Sequence, residues 1–158
     1  MAIYSCAVST VGRSTHAAGT AGAHLRYIGR PDAATTVEAA HMPAHPRAAR
    51  RWMNAQEREA RKNARLLNKI RAALPRELSH PQNAELVREF LMLLTSTRIP
   101  WFYAIHDQGE DRQNPHVHIV LIDKDIETGT RLLRLSDSPK DRETAGLVPN
   151  GVRTPSSG

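Results

Sequence analysis

The stretch from Trp101 to Asp123 constrains the fold of this chain more than any other part of the sequence. It reads WFYAIHDQGEDRQNPHVHIVLID and contains two runs rich in aromatic and β-branched residues. Between these runs lie Gly, Asp, Asn and Pro, which end strands and form turns. We therefore predict a β-hairpin with strands at Trp101–His106 and His116–Ile122, joined by the loop Asp107–Pro115.

Three histidines of this hairpin predict a metal site. Successive side chains of a strand point to opposite faces, so His116 and His118 share one face, while Val117 and Ile119 share the other. If the strands pair with His106 opposite His116 or His118, three imidazoles converge. Three neutral imidazoles suit a divalent metal that keeps open coordination positions. A solvated sheet face carrying surface histidines is the alternative interpretation.

Positive charge is concentrated in one segment of the chain. The net charge is +6, which favours a polyanionic partner. Segment Arg47–Arg71 holds nine arginines and lysines against two glutamates, so it carries the whole basic excess. We predict a long helix over Arg47–Ala73 with one basic stripe that tracks phosphates, an ordinary solvated face being the alternative. The stripe consists of Arg58, Arg61, Arg65 and Lys69.

The remaining chain predicts further elements of an α and β domain. Pro31 should end the first helix, because the residue before a proline avoids α geometry. Helical spacing of Leu86, Phe90, Leu93 and Leu94 should give the last helix its buried face. The predicted elements are a strand at Ala2–Ser9, a helix over His16–Arg30, a mixed connection over Pro31–Pro46, an extended segment Leu74–Ser79 with a partly buried Glu77, and a helix over Pro81–Thr97.

The composition indicates a cytoplasmic protein that does not bind a membrane. The single cysteine, Cys6, excludes an intramolecular disulfide and fits a reducing compartment. No apolar run in the sequence is long enough to span a bilayer. At 158 residues, the chain is large enough for one domain with a buried core.

Four segments, in this order, resemble the MobA/MobL type of plasmid mobilisation relaxase, a branch of the HUH single-strand endonucleases. They are AIYSCAVSTVGRS, AGAHLRYIGRP, ALPREL, and the hairpin pair PWFYAIHDQG with NPHVHIVLID. The resemblance implies an α+β fold, with a central antiparallel sheet of ferredoxin-like character and helices packed on one face. It implies a nicking domain over residues 1–137 that lacks the family's C-terminal helices, followed by a flexible tail over 138–158.

The resemblance also implies a function for the predicted site. The family nicks one strand of bacterial plasmid DNA at the origin of transfer, together with accessory mobilisation proteins, and forms a 5′-phosphotyrosyl adduct. Tyr27 matches the nucleophile, and the three histidines match the ligands of a divalent metal, Mn²⁺ or Mg²⁺. Glu77 is the candidate for accepting a proton or orienting a metal ligand. Arg26 and Arg30, which flank Tyr27, are candidates for binding phosphate.

Two other functions remain open at this point. A rolling-circle replication initiator of the HUH type would use the same histidines, but such proteins place their tyrosine after the hairpin. No tyrosine follows Tyr103 in this sequence. The second alternative is a DNA-binding remnant of a relaxase without catalytic activity. Tyr4 also stays possible as the nucleophile, whereas Tyr103 is predicted to face away from the histidines.

Overall fold

A five-stranded antiparallel sheet forms the centre of the protein, with the strand order β1-β3-β5-β4-β2. The structure is a computed structural model, and it describes residues 6–95 and 98–133. In chain order the elements are β1 (Cys6–Gly12), α1 (Thr20–Ile28), β2 (Thr36–Ala40), α2 (Pro46–Glu59), β3 (Arg65–Ala73), α3 (His80–Leu94), β4 (Trp101–His106) and β5 (His116–Leu121).

The predicted hairpin is confirmed as β4 and β5. The two strands pair antiparallel, with Trp101 opposite Leu121 and His106 opposite His116. β5 ends one residue earlier than expected. This register places the first pair of histidines directly across the ladder from each other, at the end of the hairpin where its loop begins.

Helices cover both faces of the sheet. Tyr103 and Ile105 of β4 belong to a core that is shared with α3, which we call the α3 core. Phe102 and Ala104 belong to a second core with α1 and α2, the α1/α2 core. The α+β class and the central antiparallel sheet are therefore confirmed, but the helices do not all lie on one face. Alternating side chains of a central strand can serve two cores only when both faces are buried.

The predicted long helix over Arg47–Ala73 is wrong. The helix α2 ends at Glu59, and the residues Arg65–Ala73 form β3 between β1 and β5. Leu67 and Ile70 are both buried, but they point into different cores from opposite faces of a strand. Their spacing fits a helix and a doubly buried strand equally well, and pairing with two neighbouring strands satisfies the backbone of β3 on both sides.

Three other elements differ from the sequence prediction. β1 continues to Gly12, beyond the predicted end at Ser9, and residues 2–5 of the predicted strand lie outside the described part. α1 begins later than predicted and ends at Ile28, before Pro31 is reached. The connection Pro31–Pro46 contains the edge strand β2, whose partly buried residues give no clear alternation. Short edge strands depend on their neighbour for pairing, here β4, more than on their own pattern.

The last helix and the segment before it agree with the prediction only in part. α3 begins at His80 behind a capping box formed by Ser79 and Gln82. Phe90 is buried as predicted, but Leu93 is 76% exposed. The predicted extended segment Leu74–Ser79 contains a turn, and Glu77 is exposed in that turn rather than partly buried. The predicted tail over 138–158 lies outside the described residues.

Gly22 allows α1 and α2 to approach each other closely. A Cβ atom at this position would lie 2.9 Å from the carbonyl oxygen of Arg50 and 2.5 Å from Oδ1 of Asn54. The first of these atoms belongs to the backbone of α2 and cannot move aside without moving the helix. The glycine therefore sets the distance between the two helices that cover the histidine face of the sheet.

We expect Gly22→Ala to destabilise the protein by about 1–3 kcal/mol, because overpacking forces the two helices apart. Chemical denaturation monitored by circular dichroism measures this difference. Ala23→Ser, at the exposed next position of the same helix, is the matched control and should stay within about 0.5 kcal/mol of the wild type. Equal stability of Gly22→Ala and the wild type would contradict the close approach.

A polar network connects β2 to α3 and to β4. The guanidinium of Arg88 on α3 donates to both carboxylate oxygens of Glu38, at 2.9 and 3.2 Å, and the buried hydroxyl of Tyr103 donates to the same carboxylate. The hydrogen bonds from Arg88 lower the pKa of Glu38, burial acts in the opposite direction, and the bond from Tyr103 lowers it again. The pKa of Tyr103 is raised, chiefly by burial.

This network predicts a pH-dependent stability. Because the pKa of Glu38 is lower in the folded state than its ordinary value of 4.5, its carboxylate stabilises the fold at neutral pH, and this contribution is lost as the pH falls below that value. Glu38→Gln should therefore lower the melting temperature at about pH 7 and differ less from the wild type at about pH 3. Glu89→Gln, on the exposed side of α3, is the control. If Glu38→Gln lowers the melting temperature by the same amount at both pH values, the ionised carboxylate of Glu38 is not the source of this stability.

Candidate metal centre

The three histidines of the hairpin converge as predicted. His106 at the end of β4 pairs with His116 at the start of β5, and His118 lies two residues further along the same face. Their ring centroids are 4.6 to 5.2 Å apart, and one ring nitrogen from each lies within 4.8 Å of the others. Within residues 6–95 and 98–133, this is the one group of three or more His, Cys, Asp or Glu side chains with such convergence. We call it the histidine cluster.

Two of the three rings are held by backbone carbonyls. Nε2 of His106 is 2.7 Å from the carbonyl oxygen of Ile28, and Nδ1 of His116 is 3.0 Å from the carbonyl oxygen of Asn114. A carbonyl only accepts, so each of these nitrogens carries the hydrogen, and the other nitrogen of each ring keeps a lone pair. Metal-binding histidines in proteins are usually oriented by such a bond. The donor set therefore fits a divalent metal.

Burial disfavours the charged form of two of these imidazoles, those of His106 and His118. Burial, followed by the neighbouring His106 and His116, lowers the pKa of His118 to about 3. Burial also lowers the pKa of His106, although its hydrogen bond to Ile28 acts in the opposite direction. A neutral imidazole has the free lone pair that a metal ligand requires.

The C-terminus of α1 reaches the histidine cluster. The last carbonyl groups of a helix lack partners inside the helix, and that of Ile28 is satisfied by His106. These carbonyls also carry the negative end of the helix dipole, which favours a nearby cation. Because Tyr27 immediately precedes Ile28, the predicted nucleophile lies on the helical turn that contacts the cluster.

Tyr27 is accessible to a large substrate. Its side chain is 60% exposed, and the guanidinium carbon of Arg30 lies 4.0 Å from the centre of its ring. Arg30 also donates to the carbonyl oxygen of Tyr27 at 2.7 Å. Arg26, the other predicted phosphate ligand, is exposed on the preceding position of α1. The structure thus gathers Tyr27, Arg26 and Arg30 at one end of α1.

Glu77 and the predicted basic stripe are placed differently. Glu77 lies in the exposed turn before α3, and this region is joined to the loop before β5 by hydrogen bonds from Leu74 to Pro115 and from Arg76 to Gln113. The four stripe residues do not share a helix face, because they occupy α2, the following turn and β3. They are Arg58, Arg61, Arg65 and Lys69.

One polar network next to the cluster was not predicted. Asp107 follows His106 and accepts hydrogen bonds from His80 at 2.6 Å and from Thr35 at 2.7 Å. Burial would raise the pKa of Asp107, but these bonds outweigh it and lower the pKa. Thr36 also contacts His80, at 2.5 Å. The network fixes the end of β4 to β2 and to the first turn of α3, so it fixes the position of His106.

A fourth histidine near the cluster was also missed. His24 lies on α1, three residues before Tyr27, and is partly buried. Burial and then the charge of Lys69 lower its pKa to about 4, and His24 in turn contributes to the low pKa of His118. The pattern His-x-x-Tyr on one helix was visible in the sequence, but only the packing of α1 against the sheet brings it to the cluster.

The histidine cluster predicts stabilisation by a divalent metal. In the presence of Mn²⁺ at about 100 times its dissociation constant, the free energy of unfolding should rise by about 2.7 kcal/mol. His118→Ala removes one donor and should abolish most of this gain, which a thermal melt with and without Mn²⁺ measures. His16→Ala, at an exposed position outside the cluster, should keep the full gain. An equal Mn²⁺ effect on His118→Ala and the wild type would contradict the site.

The described helices include none with both the length and the apolar character needed to cross a membrane.

Comparison with known proteins identifies the family of this chain. The chain is 32% identical over 130 residues to mobilization protein A of Escherichia coli, and the match covers 78% of this chain and 18% of that protein. It thus spans less than a fifth of the length of this curated relative. A solved structure, described as the molecular basis of vancomycin resistance transfer in Staphylococcus aureus, superposes with a TM-score of 0.60 at 15% identity.

The superposition covers 95% of this chain and 100% of the other, which shows that the two share a fold. Residues 22–145, most of the sequence, match the MobA/MobL family. This range includes Tyr27, both strands of the hairpin and all members of the histidine cluster, and it confirms the resemblance drawn from the sequence segments. The chain is therefore a member of the MobA/MobL family.

Proposed function

We propose that this chain nicks one strand of plasmid DNA at an origin of transfer, with Tyr27 as the nucleophile. The observation that carries the proposal is the hydrogen bond between His106 and the carbonyl oxygen of Ile28. This bond holds the helical turn bearing an exposed tyrosine against a cluster of three imidazoles. Membership of a family with a mobilisation protein supports single-stranded plasmid DNA as the substrate.

The reaction would be a transesterification. The phenolic oxygen of Tyr27 attacks the phosphorus of one phosphodiester, an O–P bond forms, and the bond from phosphorus to the 3′ oxygen breaks. The phenol loses its proton to a base, and the departing 3′ oxygen takes up a proton. The product is a 5′-phosphotyrosyl adduct with a free 3′ hydroxyl, so the phosphodiester energy is kept for rejoining the strand.

The histidine cluster would supply the electrophilic part of this site. A divalent metal such as Mn²⁺ or Mg²⁺ bound to His106, His116 and His118 would act as a Lewis acid toward the charge that develops on the phosphate. Hydrogen bonds to backbone carbonyls already hold two of these rings, those of His106 and His116, in place. The network of Asp107, His80 and Thr35 holds the adjoining end of β4 in place.

Arg26 and Arg30 are the proposed phosphate contacts at Tyr27. Both are cationic side chains at the same end of α1 as the nucleophile, and guanidinium groups bind phosphate oxygens through paired hydrogen bonds. The role predicted for the residues of the basic stripe rested on a shared helix face that the fold lacks. Arg65 is moreover paired with the buried Asp123 at 3.0 Å, so its charge is already neutralised.

Glu77 remains the proposed proton acceptor or orienting residue. Its turn is linked through Leu74 and Arg76 to the loop that leads into His116. In this proposal the carboxylate of Glu77 accepts a proton, or a hydrogen bond from a histidine. The remaining partners in this proposal are accessory mobilisation proteins, and the site of action is the bacterial cytoplasm, where plasmid DNA resides.

A covalent-adduct assay tests the nucleophile. The protein is incubated with Mn²⁺ and a single-stranded oligonucleotide that carries the cognate transfer origin and a fluorophore at its 3′ end. Because the adduct retains the 3′ part of the strand, wild-type protein should give a fluorescent band on a denaturing gel. Tyr27→Phe should give none, since it lacks the attacking oxygen.

Tyr103→Phe is the matched control, because it removes a hydroxyl group from the opposite face of the sheet. It should still form the adduct. If Tyr27→Phe forms an adduct and Tyr4→Phe does not, the nucleophile is Tyr4. If wild-type protein forms no adduct with the cognate origin, the nicking function is wrong, and a DNA-binding remnant accounts for the chain.

A further inference from the structure

A cleft opens between the exposed side of α1 and the start of α2. Its volume is about 830 Å³, within the range of pockets that hold small molecules. Tyr27 and Arg26 form one wall, while Arg47 and Arg50 of α2 form the other. We call this space the Tyr27 cleft. It lies outside the histidine cluster, and neither Arg47 nor Arg50 has a role in the chemistry proposed above.

The rim of the Tyr27 cleft is cationic. Four arginines line it, and no acidic residue does: Arg26, Arg30, Arg47 and Arg50. A smaller depression next to it, of about 490 Å³, is lined by three of these arginines together with Arg51 and Asn54.

Most of this charge is not neutralised by the protein itself. Arg30 lies 3.6 Å from the exposed carboxylate of Asp32. For Arg26, Arg47 and Arg50, the described residues provide no carboxylate within 4.0 Å. Arginines from two helices that face one cleft without counterions repel one another, and a bound polyanion relieves this repulsion.

The floor of the cleft is apolar. Ala34 and Val37 are partly buried and pack against the α1/α2 core, and Pro31 and Pro46 complete the floor. Gly29 brings the backbone close to this layer, since a Cβ atom there would lie 3.0 Å from Phe102 and 3.1 Å from Pro46. An apolar floor below a cationic rim matches a nucleotide, whose base is largely apolar on its faces and whose phosphates are anionic.

We propose that the Tyr27 cleft binds a nucleotide of single-stranded DNA adjacent to the phosphate that Tyr27 attacks. The base lies on the floor, and Arg47 and Arg50 contact the backbone phosphates. The strand must be single at this point, because a base can enter such a cleft only when it is unstacked and unpaired. The proposal rests on the proposed function for the position of the scissile phosphate, whereas the binding itself can be measured separately.

Fluorescence anisotropy with the full chain tests the cleft. The probe is a fluorescein-labelled twelve-residue oligothymidylate in buffer with EDTA, so neither metal nor cleavage contributes. Arg47→Ala/Arg50→Ala should weaken binding by about tenfold or more. It should also reduce the slope of log Kd against log salt concentration by about 1.4, because each phosphate contact on a single strand accounts for about 0.7.

The matched control is Arg58→Ala/Arg61→Ala, which removes the same charge from the other end of α2 and the turn after it. Arg58 lies eight residues beyond Arg50, or about 12 Å along the helix axis. This variant should change the dissociation constant by less than about twofold. Equal weakening of both double variants would overturn the proposal, because binding would then follow total charge rather than the cleft. Circular dichroism of both variants verifies that α2 is intact.

A second probe tests whether a base occupies the floor. An abasic strand of the same length and charge should bind the wild-type protein several-fold more weakly than oligothymidylate. The two strands should bind Arg47→Ala/Arg50→Ala with more similar affinities. If the abasic strand binds wild-type protein as tightly as oligothymidylate, no base enters the cleft and this assignment is wrong.

The two proposals fail in different experiments. If wild-type protein forms no adduct with the cognate origin, nicking by this chain is refuted, but the anisotropy measurement of the cleft is unaffected. Equal effects of the two double variants in EDTA would refute the cleft and leave the adduct assay unaffected.

Discussion

The register between β4 and β5 is the constraint on which the rest of the structure depends. Pairing His106 with His116 places His118 on the same face and brings three imidazoles together. A slip by one residue would turn the side chains of β5 to the other face of the sheet and separate the histidines. The apolar residues between them hold the register, because those of the α3 core fit only one face of the hairpin.

Burial of the sheet on both faces explains how the histidine cluster and an exposed tyrosine come together. The α1/α2 core attaches α1 to the face that carries the histidines, with Leu25 and Ile28 fully buried. Gly22 allows this helix to lie close to α2. The last turn of α1 then delivers the carbonyl of Ile28 to His106 and leaves Tyr27 in solvent. The packing of α1 thus orients the imidazole of His106 and also positions Tyr27, the proposed nucleophile.

The distribution of positive charge follows from the same packing. The basic segment forms α2, a turn and β3 rather than one helix, so its charges face different surroundings. Arg65 pairs with Asp123, and Lys69 lies near His24, where its charge helps to lower the pKa of that histidine. Arg47 and Arg50 face α1 across the Tyr27 cleft. The arginines that line the Tyr27 cleft therefore come from α1, from the residues just after it, and from α2, which is separate in the sequence.

The sequence by itself determined the hairpin, the face shared by its histidines, and the burial of Phe90 in α3. These features depend on side-chain alternation and turn residues, which are local properties. Only the tertiary structure decided that Arg65–Ala73 is a strand, that helices cover both faces, and that His24 approaches His118. A segment such as β3 satisfies helical spacing and strand burial equally well. Hydrogen bonds to β1 and β5, which lie far away in the chain, determine that this segment forms a strand.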